Sequence, residues 1–160
     1  MHEAARQWVA THRPDVVGDV LDVGGRHING DVRDILTDAS SWTVVDLIDA
    51  ADVDIVGDIT TAGLVDVADT VLCLEVLEHA ERWRDIVVAC VAATRSGGAV
   101  IVTAAGPSRA PHSATDGGHL RPGEWYEAIT IDDLADALAD LDSLVVDELG
   151  ADVRAMGVKP

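Results

Sequence analysis

The sequence predicts an α/β fold in one domain, with a mostly parallel β-sheet covered by helices. Short β-branched runs alternate with helical stretches, the pattern of βαβ units. One run, residues 69–75 (DTVLCLE), is apolar almost throughout, as expected of a strand covered on both faces. No repeat, low-complexity tract or interdomain linker interrupts the 160 residues, a length sufficient for one substantial core.

The elements follow in order. Residues 16–23 read as a first strand, followed by a helix beginning at residues 31–36. Residues 42–46 (WTVVD), 53–58 (VDIVGD) and 69–75 give the next three strands. A helix over residues 79–95 stops at Ser96-Gly97-Gly98, a glycine signal for helix ends, and residues 99–105 form a fifth strand. Residues 106–124 are long, rich in Gly and Pro and without period; such a loop in a compact domain is usually functional. Thr130, with acids at 132 and 133, caps an amphipathic helix in TIDDLADALADL. Two final runs, SLVVDEL and DVRAMGV, meet at Gly150 as an antiparallel hairpin.

Composition narrows the class. An apolar share of 48% argues against disorder, and the longest apolar stretch, residues 86–93, falls far short of the ~20 residues of a membrane span. The first residues show no basic segment followed by an apolar one, so a soluble cytoplasmic protein without membrane attachment is expected. Cys73 and Cys90 sit in apolar surroundings and make neither a disulfide framework nor a zinc cluster. The net charge of −18, from 29 acids against 11 bases, disfavours nucleic acid as a partner. That acidity equally fits a high-salt habitat or a biased codon composition.

In open α/β sheets, ligands bind beyond the carboxyl ends of the strands. Asp22, Asp46, Asp58 and Glu75 stand at or near such ends. Asp46 follows the glycine pair of VLDVGG (20–25) at the distance where a carboxylate accepts two hydrogen bonds from ribose hydroxyls. Asp58 is suited to accept from an exocyclic amine while Ile59 packs on a purine face. Each acid alone reads equally well as an ordinary loop residue in this Asp-rich chain; its place after a glycine loop sets Asp46 apart.

VLDVGG (20–25), VVDL (44–47), VGDI (56–59), DTVLCLEVLEH (69–79) and RSGGAVIVTAAGP (95–107) come in the order and spacing of class I S-adenosylmethionine-dependent methyltransferases, and the chain resembles their small-molecule branch over nearly its whole length. The resemblance implies a Rossmann-like three-layer sandwich whose seven-stranded, mostly parallel sheet has its last strand antiparallel. It implies transfer of a methyl group from S-adenosyl-L-methionine to an O or N atom of a small molecule. Asp22, Gly24, Gly25 and Arg26 would face the methionine portion, Asp46 with Leu47 the ribose, Asp58 and Ile59 the adenine, and Cys73 and Leu74 the cofactor edge. The family's loop has glycine where this chain has Arg26 and Ile28, and the tight turn is expected to be shared between Gly24–Gly25 and Asn29–Gly30. The missing second glycine argues against a dinucleotide, whose pyrophosphate needs close backbone approach.

Methyl transfer asks for an in-line approach, a dry site and sometimes a base. His79, His112 and His119 are the candidate catalytic residues, since histidine titrates near neutrality. Trp125 and Tyr126 either line an acceptor pocket or anchor the loop. Glu75, Glu78 and His79, spaced i, i+3 and i+4, could on one helical face hold a hard divalent ion with His119 or His112; Glu75 however ends the predicted strand, His79 also reads as ordering a helix start, and no metal is assigned. The pocket would be open, completed by a homodimer partner, or closed by residues 106–124 as a lid. The alternative to an enzyme is a methyltransferase-like module that binds the cofactor without turnover, as the eroded glycine loop suggests.

Overall fold

The computed structural model describes residues 3–26 and 30–160. Seven strands, β1 (Asp19–Val23), β2 (Ser41–Asp46), β3 (Ile55–Val56), β4 (Ala68–Leu74), β5 (Thr94–Ala105), β6 (Asp142–Leu149) and β7 (Asp152–Val158), form one sheet in the order β3-β2-β1-β4-β5-β7-β6. Pairings from β3 to β5 are parallel, while β7 runs antiparallel to both β5 and β6. The expected seven-stranded α/β architecture and the closing hairpin are therefore present. Strand order reverses between β1 and β4, which opens a crevice at the carboxyl ends of the parallel strands.

Alternation along the strands builds two cores. Leu21, Val23, Val71, Cys73, Val100 and Val102 point to one face, where α2 (Trp83–Ala93) and α3 (Ile131–Ala137) cover them. Val20, Leu72, Leu74 and Ile101 point to the other, under Trp8 and Val9 of α1 (Glu3–His12). Both faces are dry, so the inner strands carry apolar side chains at successive positions. Cys73 and Cys90 are both buried free thiols, as their neighbours in the sequence predict.

Three expected elements differ. Residues 31–36 do not form a helix; they make one hydrogen-bonded turn, Leu36 N to Val32 O at 3.0 Å, before β2 begins. So short a segment cannot offset helix nucleation, and β-branched Val32 and Ile35 do not favour it. Side chains from α1 and the residue after it hold it instead: Arg6 binds the Asp31 carbonyl and Asp34, and Arg13 binds the Ile35 carbonyl at 3.3 Å and Asp38 at 2.6 Å. The predicted helix 79–95 is split into a 3-10 turn, Leu77–His79, and α2, with extended backbone at Ala80 between them. Strand β5 begins at Thr94, so Gly97 and Gly98 lie inside it, beside an irregularity in its pairing with β4. Gly98 fits there because a Cβ would press on the Asp69 carbonyl oxygen.

The expectation that Asn29 shares in the turn after β1 falls outside the described residues. Gly24 and Gly30 do take positive φ, +70° and +90°. Gly24 donates to the Val45 carbonyl at 2.8 Å, and a Cβ on it would overlap Val76 Cγ2. At Gly150 φ is also positive, +67°, but the space is open. Gly24→Ala is therefore expected to cost about 2–4 kcal/mol, strain plus overpacking, whereas Gly150→Ala should cost about 1 kcal/mol. Denaturant unfolding of the two variants checks the difference, and equal losses would mean that Val76 yields freely.

Candidate functional site

A cavity of about 1240 Å³ opens at the carboxyl ends of β1, β2 and β4. Asp22, Gly24, Gly25 and Arg26 form its floor after β1, and Asp46 and Leu47 its wall after β2. Asp58 and Ile59 close the far side, and Leu74 lies at the end of β4. His79, His112 and His119 line the opposite end. Cys73 does not reach it: this residue points into the core beside Cys90 and is 1% exposed.

The acids at the strand ends are held in different ways. Asp46 Oδ1 accepts from the Ile48 amide at 2.8 Å and lies 3.3 Å from Arg26 Nε. The guanidinium thus lies against the carboxylate expected to grip a ribose. Asp58 Oδ1 accepts from both the amide and the hydroxyl of Thr60, each at 2.8 Å, and so caps a turn. Asp22, 5% exposed, packs against Gly25, where any Cβ would run into its carboxyl. Burial pushes Asp22 up to about 7; the Trp42 indole, short of hydrogen-bond geometry, and Arg33 pull the other way.

At the histidine end, Glu75 has φ +62° and leaves the strand with Oε1 accepting from Thr103 at 2.8 Å and Oε2 3.5 Å from Arg109. Glu75, Glu78 and His79 thus do not share one helical face. The tight 3-10 turn sends Glu78 inward, fully buried, and leaves His79 on the cavity wall. Glu78 is pushed up to about 8 by burial and by nearby Glu75; the amides of Glu78 and Ala105 oppose this without completing a hydrogen bond to either carboxyl oxygen. Burial, with His112 beside it, holds His79 down to about 4, neutral at physiological pH. His79, His112 and Tyr126 stand edge to face with ring centroids 4.9, 5.7 and 5.2 Å apart. Tyr126 is thus the aromatic that anchors this end, and Trp125 is exposed.

Residues 106–124 form the cavity's outer wall and are knit by their own side chains. Glu124 accepts from Ser113 Oγ at 2.7 Å, Thr115 Oγ1 at 3.2 Å and the Arg121 amide at 2.8 Å. Arg109 ties the start of the segment to Asp152 at 2.5 Å. Sequence reasoning missed Glu124 and Arg109, for no motif surrounds either. It also missed Glu78 as a buried group, because a helical reading leaves that position ambiguous.

The crossover at β1 and β4, the antiparallel β7 and the cavity at the strand ends have close counterparts among solved structures. The chain has the fold of the S-adenosylmethionine-dependent methyltransferases. It superposes on Burkholderia thailandensis 1,6-didemethyltoxoflavin-N1-methyltransferase, solved with its substrate and S-adenosylhomocysteine, at a TM-score of 0.71 and 17% identity, covering 98% of this chain and 77% of that one. The N-methyltransferase NodS from Bradyrhizobium japonicum, with S-adenosylhomocysteine, gives 0.64 and 16%, covering 99% and 86%. Haemonchus contortus phosphoethanolamine N-methyltransferase 2, with S-adenosylmethionine, gives 0.72 and 13%, covering 98% of this chain and 52% of that one. The sequence itself matches no protein-family model and no curated protein. Among the described residues, no helix is long and apolar enough to cross a membrane.

Asp22 ties the site to folding. Folded, it keeps its proton to about pH 7; unfolded, it loses it near 4. Its contribution is complete below pH 4 and is lost as pH rises through 7. Asp22→Asn, with no charge to bury, should lose less stability than the parent chain between pH 4 and 7, read as Tm against pH. Parallel curves would show that Asp22 stays hydrated.

Proposed function

We propose that this chain transfers a methyl group from S-adenosyl-L-methionine to an O or N atom of a small molecule. One juxtaposition carries the reading: a carboxylate, Asp46, ends the strand beside the one that runs into the Gly24–Gly25 turn, and both face the cavity at the strand ends. The residues fit the cofactor. Asp46 supplies an acceptor-only group for paired ribose hydroxyls, with both of its present contacts on Oδ1. Gly24 and Gly25 keep the floor free of side chains, and Ile59 offers an apolar wall to a purine beside Asp58. When bound, the cofactor supplies a methyl group activated by a sulfonium.

The remaining work falls to the protein. The cavity orients donor and acceptor in line, and residues 106–124 act as a lid that excludes water. His79 stands neutral on the cavity wall, a weak base because burial holds it down to about 4; His112 and His119 are the other candidate bases within the same walls. The acidic surface favours neutral or cationic acceptors over anionic ones.

One observation favours the second reading, a binding module without turnover. Arg26, where the family's loop has glycine, lies against the ribose acceptor and competes with a nucleoside for Asp46. Binding and turnover measurements separate the two. Titration calorimetry with S-adenosylhomocysteine should show Asp46→Ala weakening affinity about 10- to 100-fold, the loss of charge-assisted hydrogen bonds. Unchanged affinity would remove the cofactor reading. Tight binding without transfer to any acceptor in a screen would leave the module.

A further inference from the structure

We propose that Glu78, His79 and His112 form a binding site for one divalent first-row transition ion, such as zinc, manganese or cobalt, at the acceptor end of the cavity. One ligand atom from each lies within 4.8 Å of the others. His79 Nε2 and His112 Nε2 are each 4.0 Å from Glu78 Oε1, against the ~3.4 Å that two bonds to one tetrahedral ion span. Closing each of these two contacts by roughly 0.6 Å would bring the carboxylate and the imidazoles to bonding distance.

Independent observations point to a cation rather than to packing alone. Glu78 is fully buried, yet neither of its carboxyl oxygens has a hydrogen-bond partner. Buried polar groups without partners are uncommon in native structures and call for an explanation, such as an ion. The partners that do face Glu78 are two imidazole nitrogens, both donors to a metal in their neutral form. His112 Nδ1 sits 3.3 Å from the Ala110 carbonyl, so that nitrogen carries the proton and Nε2 presents its lone pair towards Glu78. The Tyr126 ring packs edge-on against both imidazoles and holds their planes.

The donor set selects the ion. Two imidazoles and one carboxylate suit zinc, iron, manganese or cobalt, whereas magnesium and calcium prefer all-oxygen shells. Glu75, which would have added a hard oxygen, is instead engaged by Thr103 and Arg109. His119 lines the same cavity but is not among the three residues that meet. Both histidines open to the cavity while Glu78 lies behind them, so the ion's remaining positions face the acceptor's space. There the ion would hold and polarise an acceptor oxygen, a consequence that rests on the methyltransferase reading and leaves His119 as the base whenever the ion occupies Nε2 of His79 and His112.

The test uses chelator-treated, dialysed protein titrated with Zn(II), Co(II) and Mg(II) by calorimetry, with the Co(II) visible spectrum as a second signal. One Zn(II) or Co(II) per chain is expected, with Mg(II) at least about 100-fold weaker. His112→Ala lies on the outer loop and should leave Tm in place while weakening Zn(II) about 10-fold or more. His79→Ala should do the same, and Glu78→Gln, which keeps the shape, should abolish tight binding. No binding, or binding that ignores all three substitutions, would overturn the site and reduce any signal to cations scattered over the acidic surface. S-adenosylhomocysteine titration of the same protein keeps the two readings apart. Zn(II) binding without nucleoside binding supports the ion site and removes the methyltransferase reading; the reverse removes the ion site alone.

Discussion

Burial of the sheet on both faces is the constraint from which the rest follows. Strands β1, β4 and β5 are covered above and below, so a polar side chain within them must find a partner or give up its charge. Thr70 solves this with the Val17 carbonyl and Thr103 with Glu75. Carboxylates collect instead where the strands end and the layers part: Asp22 as the last residue but one of β1, Asp46 at the end of β2, Glu75 just past β4. A row of acids at one edge of the sheet is thus a product of the fold itself. The crossover between β1 and β4 places a cavity there, and the acids become its lining.

The half-glycine loop has its answer in the same terms. Gly24 is required by its positive φ and by Val76, and Gly25 by the Asp22 carboxyl packed against it. Both glycines answer first to protein atoms. Arg26 needs no glycine because its side chain leaves the turn and lies against Asp46. The loop can therefore lose its later glycines without closing the cavity, and the guanidinium balances a carboxylate that would otherwise face a largely acidic neighbourhood.

The order of elements was legible because strand alternation and continuous apolar runs survive every local detail: β4, β5 and the final hairpin stand within a few residues of where their patterns place them. The place of Asp46 at the end of β2, on the cavity wall, was legible for the same reason, since it follows from topology and spacing. What failed depended on local backbone. Residues 31–36 carry helix-like spacing but are too short to nucleate and are held by Arg6 and Arg13 from another element, which no local pattern announces. The run from Glu75 to His79 contains helix formers, yet a positive φ and a 3-10 turn redirect each side chain, so that Glu78 rather than Glu75 meets the histidines. Cys73 was assigned to the cofactor edge by the family resemblance, whereas its parity in the strand turns it into the core, as its apolar neighbours in the sequence indicate. Glu124 and Arg109 act across a loop whose partners are set only by folding.

The charge balance takes on a structural meaning once the bases are located. The chain has one lysine, and the arginines at 6, 13, 95, 109, 121 and 154 each bind an aspartate that tethers one segment to another or closes a turn. The exposed pairs among these contribute little each, so their value lies in fixing where segments sit, while Arg109–Asp152 and Arg154 are largely buried. Because the bases are committed in this way, the surplus of acids is left to set the field. A cavity lined by carboxylates under a net charge of −18 concentrates cations at its mouth, less so as salt rises. A sulfonium and a divalent ion are both cations. The same excess that repels phosphate backbones would draw in both of the proposed ligands.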